Sequence, residues 1–329
     1  MQDHYRSETE SASPQCLVVM YHYVRKRDPL ASDGIMSISP REFEEQLDGL
    51  CRRLEPIDWP TFLGWSRNRQ SIPRRCFLLT FDDALVDHAR IVLPILERRG
   101  LHGVFFVPGE ALTKQRMLSA HAIHALLAGL GCEVFHSELL RYLEDYDPDA
   151  DWSSKVDGRK AQQMYHYEPP HRAWIKYLLT MVLPGDLRRR AVDALFERHI
   201  GSPARWSRHW YLDWKDLVEM QTKGHTIGGH GHDHEPLSLL TPGELRHDMR
   251  KAAAVLNDGL GTDLRPFSYP YGDLTPDISE ACRDAGFVQA FTTERGWAKA
   301  ECDPMHWPRV DTIYVETELK EKFTCMQQV

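Results

Sequence analysis

Short apolar runs recur along the chain, each followed by a stretch with helix punctuation, and this alternation constrains the fold more than any other feature. "QCLVVMYHYV" (15–24), "CFLLTF" (76–81) and "GVFFVP" (103–108) are continuous enough in valine, leucine and phenylalanine to be strands buried on both faces. "HTIGGH" (225–230), "RPFSYPYG" (265–272) and "FVQAFTT" (287–293) read as further strands, the second ending in a turn. Helices with identifiable ends come between them. In "SISPREFEEQLDGLCRRL" Ser39 is the N-cap, Pro40 the first helical residue and Glu42 the capping-box partner, with Phe43, Leu47, Leu50 and Leu54 on one face. "ARIVLPILERRG" stops at Gly100, "TPGELRHDMRKAAAVL" opens on a Thr241, Pro242, Glu244 cap, and "TPDISEACRDAG" is a further helix. The pattern predicts a parallel sheet or barrel covered by helices, with active groups at the C-terminal ends of the strands.

Between about 110 and 210 the texture changes to charge-rich helical sequence with turn clusters such as "YDPDADWSS", which predicts a helical insertion. Trp152, Trp174, Trp206 and Trp210 are expected to anchor its core or an interface, and "RRR" at 188–190 to be a solvated helix face. Residues 1–14 are polar and expected to form a disordered tail, leaving 15–329 as one domain. A net charge of -8 without a basic stripe speaks against nucleic acid as a partner. With neither a secretory signal nor an apolar run of the roughly 20 residues that span a bilayer, and with seven scattered cysteines and no CxxC pair, the chain is expected to be cytoplasmic, with reduced thiols and no transmembrane segment.

Chemistry concentrates at the strand ends. Asp82 and Asp83 directly follow a buried strand, where ionised groups must be solvated, paired or metal-bound. Neighbours leaving a strand point in different directions, so one can hold a metal while the other faces a substrate; a charge pair at a helix N-terminus is the plain alternative. In "TIGGHGHDHEPLS" three histidines alternate. An extended segment would put His230, His232 and His234 on one face, whereas a helical turn would pair His230 with His234. Gly228, Gly229 and Gly231 favour a tight bend into a short helix, so His230 with His234 is the expected pair and His232 points elsewhere. Two histidines and a carboxylate leave positions open for water and substrate, as catalytic zinc sites do.

"LLTFDDALVDH", "IGGHGHDHEPLS" and "FSYPYGD" resemble the first three motifs of the NodB-homology polysaccharide deacetylases, carbohydrate esterase family four. The resemblance spans roughly 15–108 and 210–310 and implies a distorted (β/α) barrel, here with a large helical insertion, that removes acetyl groups from amino sugars using one divalent metal. Zinc is expected first, with cobalt, nickel or iron as alternatives. By the same resemblance Asp82 is the catalytic base, Asp83, His230 and His234 are metal ligands, and the Tyr271 backbone N–H helps stabilise the oxyanion, while His232 falls on a position that ligates nothing and lies at most behind the ligands. Departures are visible: the arginine of the family's RxPYG is Ser268, the glycine of FDDG is Ala84, and no late L-x-H motif is evident, "PMH" at 304–306 fitting it poorly. Arg309 in "HWPRVD" is the candidate for orienting Asp82. The "YH" strand at the N-terminus is similar to one in the permuted branch of the family that acts on poly-N-acetylglucosamine, which makes His22 the candidate general acid.

These readings predict a metal-dependent hydrolase removing an N-acyl group from a small-molecule, nucleotide- or lipid-linked amino sugar in cell-surface glycan biosynthesis. A hydrolase of non-sugar amides, or a carbohydrate-binding protein with a decayed site, are the alternatives. The insertion is expected to be a lid over the barrel mouth or a surface for homo-oligomerisation.

Overall fold

The computed structural model describes residues 13–26, 35, 37–261 and 264–324, so most of the expected tail at 1–14 lies outside the described residues. Among the described residues nine strands follow in order: β1 Gln15–Tyr21, β2 Glu55–Pro56, β3 Arg75–Phe81, β4 Gly103–Val107, β5 Thr226–Gly229, β6 Pro266–Ser268, β7 Gln289–Arg295, β8 Ala298–Lys299 and β9 Trp307–Asp311. β1 pairs with β3 from Gln15 opposite Arg75 to Tyr21 opposite Phe81, and on its other edge with β9, Val19 opposite Val310. That double pairing closes the parallel ring β1-β3-β4-β5-β6-β7-β9 into a barrel with helices outside. β2 extends the start of β3, and β8 runs antiparallel to the start of β1.

Burial explains the ring. β1, β3 and β4 show almost uninterrupted burial, as strands covered by helices must. Outside the barrel the helix Pro40–Cys51 carries the expected Ser39 capping box and buries Phe43, Leu47 and Leu50. The helix Trp59–Ser66 packs Phe62 edge-to-face against Trp307, centroids 5.1 Å apart at 75°. Gly100 ends the helix Leu93–Arg99 in the left-handed region at φ 63°, but that helix begins with a wide turn over His88–Val92 rather than as one continuous segment. β2, β8 and β9 were not predicted: two span only two residues, and β9 carries Pro308 and alternates with charge.

From Ser119–Leu130 through Cys132–Tyr146, Gly158–Met164, Pro170–Tyr177, Gly185–His199 to Pro203–Trp210 the central block is helical. Trp210 is buried, and Trp152, Trp174 and Trp206 pack against the core. The arginine run is not a solvated face at all three positions. Arg188 is buried: its Nη1 donates to the carbonyls of Leu179 (3.2 Å) and Thr180 (2.9 Å), and it pairs with Glu235. A guanidinium with two carbonyls and a carboxylate as partners can be buried where an isolated charge cannot.

Two glycines serve clearance rather than bending. Gly228 and Gly229 lie inside β5, and a Cβ on Gly229 would meet the Phe287 ring at 2.5 Å, one on Gly228 the Pro266 carbonyl at 2.6 Å.

None of the six described cysteines is in a disulfide. No described helix is long and apolar enough to cross a membrane.

Two buried histidines make the fold acid-sensitive. His225 Nδ1 accepts from the Gly103 N–H at 3.1 Å and His88 Nε2 lies 3.0 Å from the His22 carbonyl; burial pushes both rings down to about 4. Unfolded, each binds a proton near 6.5, so the unfolded chain holds more protons between 6.5 and 4 and stability falls as pH drops through that window, by up to about 3 kcal/mol per ring. Denaturant unfolding at pH 7 and pH 5 should show a loss for the wild type that shrinks in His225→Gln; equal losses in both proteins would refute the assignment.

Candidate active site

Asp82 and Asp83 leave the end of β3 in opposite directions. Asp83 has φ 81° and Ala84 φ 52°, so the chain turns through the left-handed region where a glycine would be unstrained. Asp82 is fully inside: Arg309 Nη1 donates to its Oδ1 and Nη2 to its Oδ2, both at 2.8 Å. The same guanidinium donates to the Thr292 carbonyl, to Thr80 Oγ1 and to Ser268 Oγ, and Ser268 Oγ donates to Asp82 Oδ2 at 3.1 Å. The serine at the usual arginine position thus sits between the carboxylate and an arginine delivered from β9. Burial alone would raise the Asp82 carboxyl, but Arg309, with the His230 ring next, holds it at about 2.

Asp83 faces the histidines. Its Oδ1 lies 3.3 Å from His230 Nε2 and 3.1 Å from His234 Nε2. Donor atoms of these three buried residues all fall within 4.8 Å of one another. His230 Nδ1 donates to the Ser268 carbonyl at 2.7 Å, which aims the Nε2 lone pair at Asp83. Asp83 Oδ1 is buried with no hydrogen-bond partner in good geometry, a costly arrangement unless a cation completes it. The set therefore fits one divalent metal.

The expected pair is together, but not through a helical turn. The segment after β5 is a loop, with Gly231 at φ 68° and His234 at φ 54°, and the first helical turn appears only at Leu237–Leu239. Asp248 shapes it by accepting from the His232 and Asp233 amides, each at 2.9 Å. His232 turns away: its Nδ1 is 2.6 Å from Asp233 Oδ1, and it forms with Glu110 and Asp233 a separate group of donors.

A cavity of about 310 Å³ opens over the trio. The barrel lines it with His22, Asp82, Asp83, His230, His234 and Tyr271, and the helical block with His121, His124, Tyr165 and Lys176. Tyr271 sits at φ 60° in a tight turn after β6, its ring 5.2 Å from that of His234. Lys176 donates to Glu168 at 3.0 Å, and burial lowers it from the usual lysine range. A larger hollow of about 700 Å³ near Arg188, Arg189 and His232 contains none of the trio, so the smaller cavity is the one the chemistry faces.

The family model for polysaccharide deacetylase matches residues 189–290, which include His230, His234 and Tyr271. Among solved structures, the Streptococcus pyogenes deacetylase PplD in complex with acetate superposes with a TM-score of 0.58 at 14% identity, over 91% of this chain and 93% of that one. IcaB from Ammonifex degensii gives 0.55 at 19%, over 93% and 96%, and a de-N-acetylase from Aggregatibacter actinomycetemcomitans 0.57 at 12%, over 93% and 99%. These likenesses establish a shared fold. The family match covers under a third of the chain, which is thus similar to polysaccharide deacetylases over that stretch and in its fold. No curated protein matches it significantly.

Sequence reasoning missed His121, whose Nε2 is 3.1 Å from Asp83 Oδ2, and with it His124 and Lys176. A signal was present: "SAHAIHALL" is an apolar helix interrupted by two histidines three apart, and His121 lies on its buried side.

Removing Arg309 should be severe. Breaking a buried ion pair from one side costs roughly 3–5 kcal/mol, because the partner charge is stranded. Arg309→Met should lose that much in denaturant unfolding, and Asp82→Asn added to it should recover a large part; a single-variant loss below about 1 kcal/mol would contradict the pairing.

Proposed function

We propose that this deacetylase homologue is a metal-dependent hydrolase that removes an N-acyl group, acetyl first, from an amino sugar. The observation that carries the reading is the unlike treatment of two adjacent carboxylates: Arg309 keeps Asp82 ionised and immobile, while Asp83 faces two imidazoles with a bare oxygen. A structural charge pair would have no need of that division.

Asp83, His230 and His234 would hold the ion, zinc before cobalt, nickel or iron, which when bound supplies Lewis-acid polarisation of the acyl carbonyl. Asp82 accepts a proton from the attacking water as its oxygen adds to the acyl carbon. The Tyr271 N–H donates to the developing oxyanion, a contact of a kind commonly worth about 10²- to 10³-fold in rate. His22, at the end of β1 and on the cavity wall, then gives a proton to the nitrogen as the C–N bond breaks, releasing the carboxylate and a free amine.

The walls support a small or terminal substrate. At about 310 Å³ the cavity is at the low end of small-molecule sites, which run roughly 300–1,000 Å³. The helical block supplies part of the cavity wall beside the trio, through His121, His124, Tyr165 and Lys176. A nucleotide- or lipid-linked amino sugar presents one accessible ring and suits such a chamber.

Product mass spectrometry with N-acetylated monosaccharides, nucleotide-linked amino sugars, oligosaccharides and simple amides is the direct test. Loss of one acetyl group from the shortest sugars, faster than from longer oligomers, is expected; turnover of simple amides alone would move the chain to another substrate class. Asp82→Asn should keep its zinc while kcat/KM falls at least about 10²-fold, and a chelator should abolish wild-type turnover until zinc returns. Persistent activity in Asp82→Asn would remove Asp82 as the base.

A further inference from the structure

We propose that His121, carried by the helical block, is a positioning residue of the metal centre, and that its ring is set by a hydrogen-bond chain beginning at a backbone amide. Resting on the reading that Asp83, His230 and His234 hold a divalent ion, it adds that the block is part of what holds the ion.

The chain is short and directional. The Leu118 N–H donates to Tyr211 Oη at 2.9 Å, and Tyr211 Oη lies 2.7 Å from His121 Nδ1. His121 Nε2 lies 3.1 Å from Asp83 Oδ2. An ionised carboxylate can only accept, so the neutral His121 ring carries its proton on Nε2, and Tyr211, whose oxygen accepts from the Leu118 N–H, donates its own proton to the bare Nδ1. The Nε2 proton points at Asp83 Oδ2. Leu118, His121 and Tyr211 are each at most 2% exposed and Asp83 is 6% exposed, so bulk water does not compete for these positions.

The geometry gives this bond a task. Asp83 has two carboxylate oxygens and a backbone at φ 81°, and only Oδ1 faces His230 and His234. Anchoring Oδ2 stops the carboxylate from rotating about its last bond and keeps Oδ1 on the imidazoles. Groups behind a metal ligand typically change metal affinity 10- to 100-fold when removed. The two partners also come from opposite ends of the block: His121 lies in its first long helix, Ser119–Leu130, and Tyr211 directly after its last, Pro203–Trp210. Asp83 is therefore held in place only when both ends of the block have docked on the barrel.

Zinc titration calorimetry at neutral pH on the full chain tests this, with thermal unfolding of the zinc-free proteins as the folding control. His121→Ala should bind zinc 10- to 100-fold more weakly than wild type, and His121→Gln, whose amide can still donate to Oδ2, should recover most of the loss. Tyr211→Phe deletes one oxygen atom and should weaken binding by a smaller factor; it reads the chain independently if His121→Ala fails to fold. Zinc affinity within about three-fold of wild type in folded His121→Ala or, where that variant is unfolded, in Tyr211→Phe, or no difference between the alanine and glutamine variants, overturns the positioning role while leaving the metal site intact. A wild-type chain that takes up none of zinc, cobalt, nickel or iron removes the metal reading itself, and this inference with it.

Discussion

The buried pair of Arg309 and Asp82 is the interaction on which the rest depends. Two charges removed from water are expensive, and the cost is met only because every donor of the guanidinium finds an acceptor. Those acceptors belong to or directly follow β3, β6 and β7, while the arginine itself comes from β9, so one side chain ties four barrel strands across the interior. The same contact fixes which way Asp82 points. With Asp82 turned inward, the next residue leaves the strand the other way, and Asp83 reaches the loop that carries His230 and His234.

Much of the site was legible because chemistry restricts residue types. An aspartate pair after an apolar strand and histidines at short spacing are few enough in kind to be found without coordinates, and Ser268 in place of an arginine pointed to a replacement elsewhere, for which Arg309 was the candidate. What spacing could not supply was the backbone path. A glycine kept for clearance looks the same as one kept for a turn, so Gly228 and Gly229, pressed by Pro266 and Phe287, were read as a bend. His121 was hidden for a different reason. Its partners Asp83 and Tyr211 are 38 and 90 residues away along the chain, and no local pattern encodes such a meeting. The alternation of strands and capped helices, by contrast, is local physics and was readable for all but the short or proline-bearing strands.

Backbone strain collects where the polar groups converge. Of the six non-glycine residues with positive φ among those described, Asp83, His234 and Tyr271 line the cavity and Ala84 directly follows Asp83. Such conformations cost of order 1–3 kcal/mol each and persist where surrounding contacts over-determine them. Here the Asp248 carboxylate, the His121 ring and the β-strand pairings supply that determination, and side chains are placed where relaxed strand ends would not put them.

The position of β1 has a consequence for how the chain is made. Val19 pairs with Val310, so during synthesis β1 keeps one edge open until β9, nearly 300 residues later, has been made. Apolar and flat, such an edge invites pairing with the wrong chain. Contacts of this sequence separation also slow folding, because a very long loop must close before they contribute. The closing seam carries chemistry as well as stability: β9 brings Arg309 to Asp82, so that buried pair can form only once the last edge of the ring is zipped.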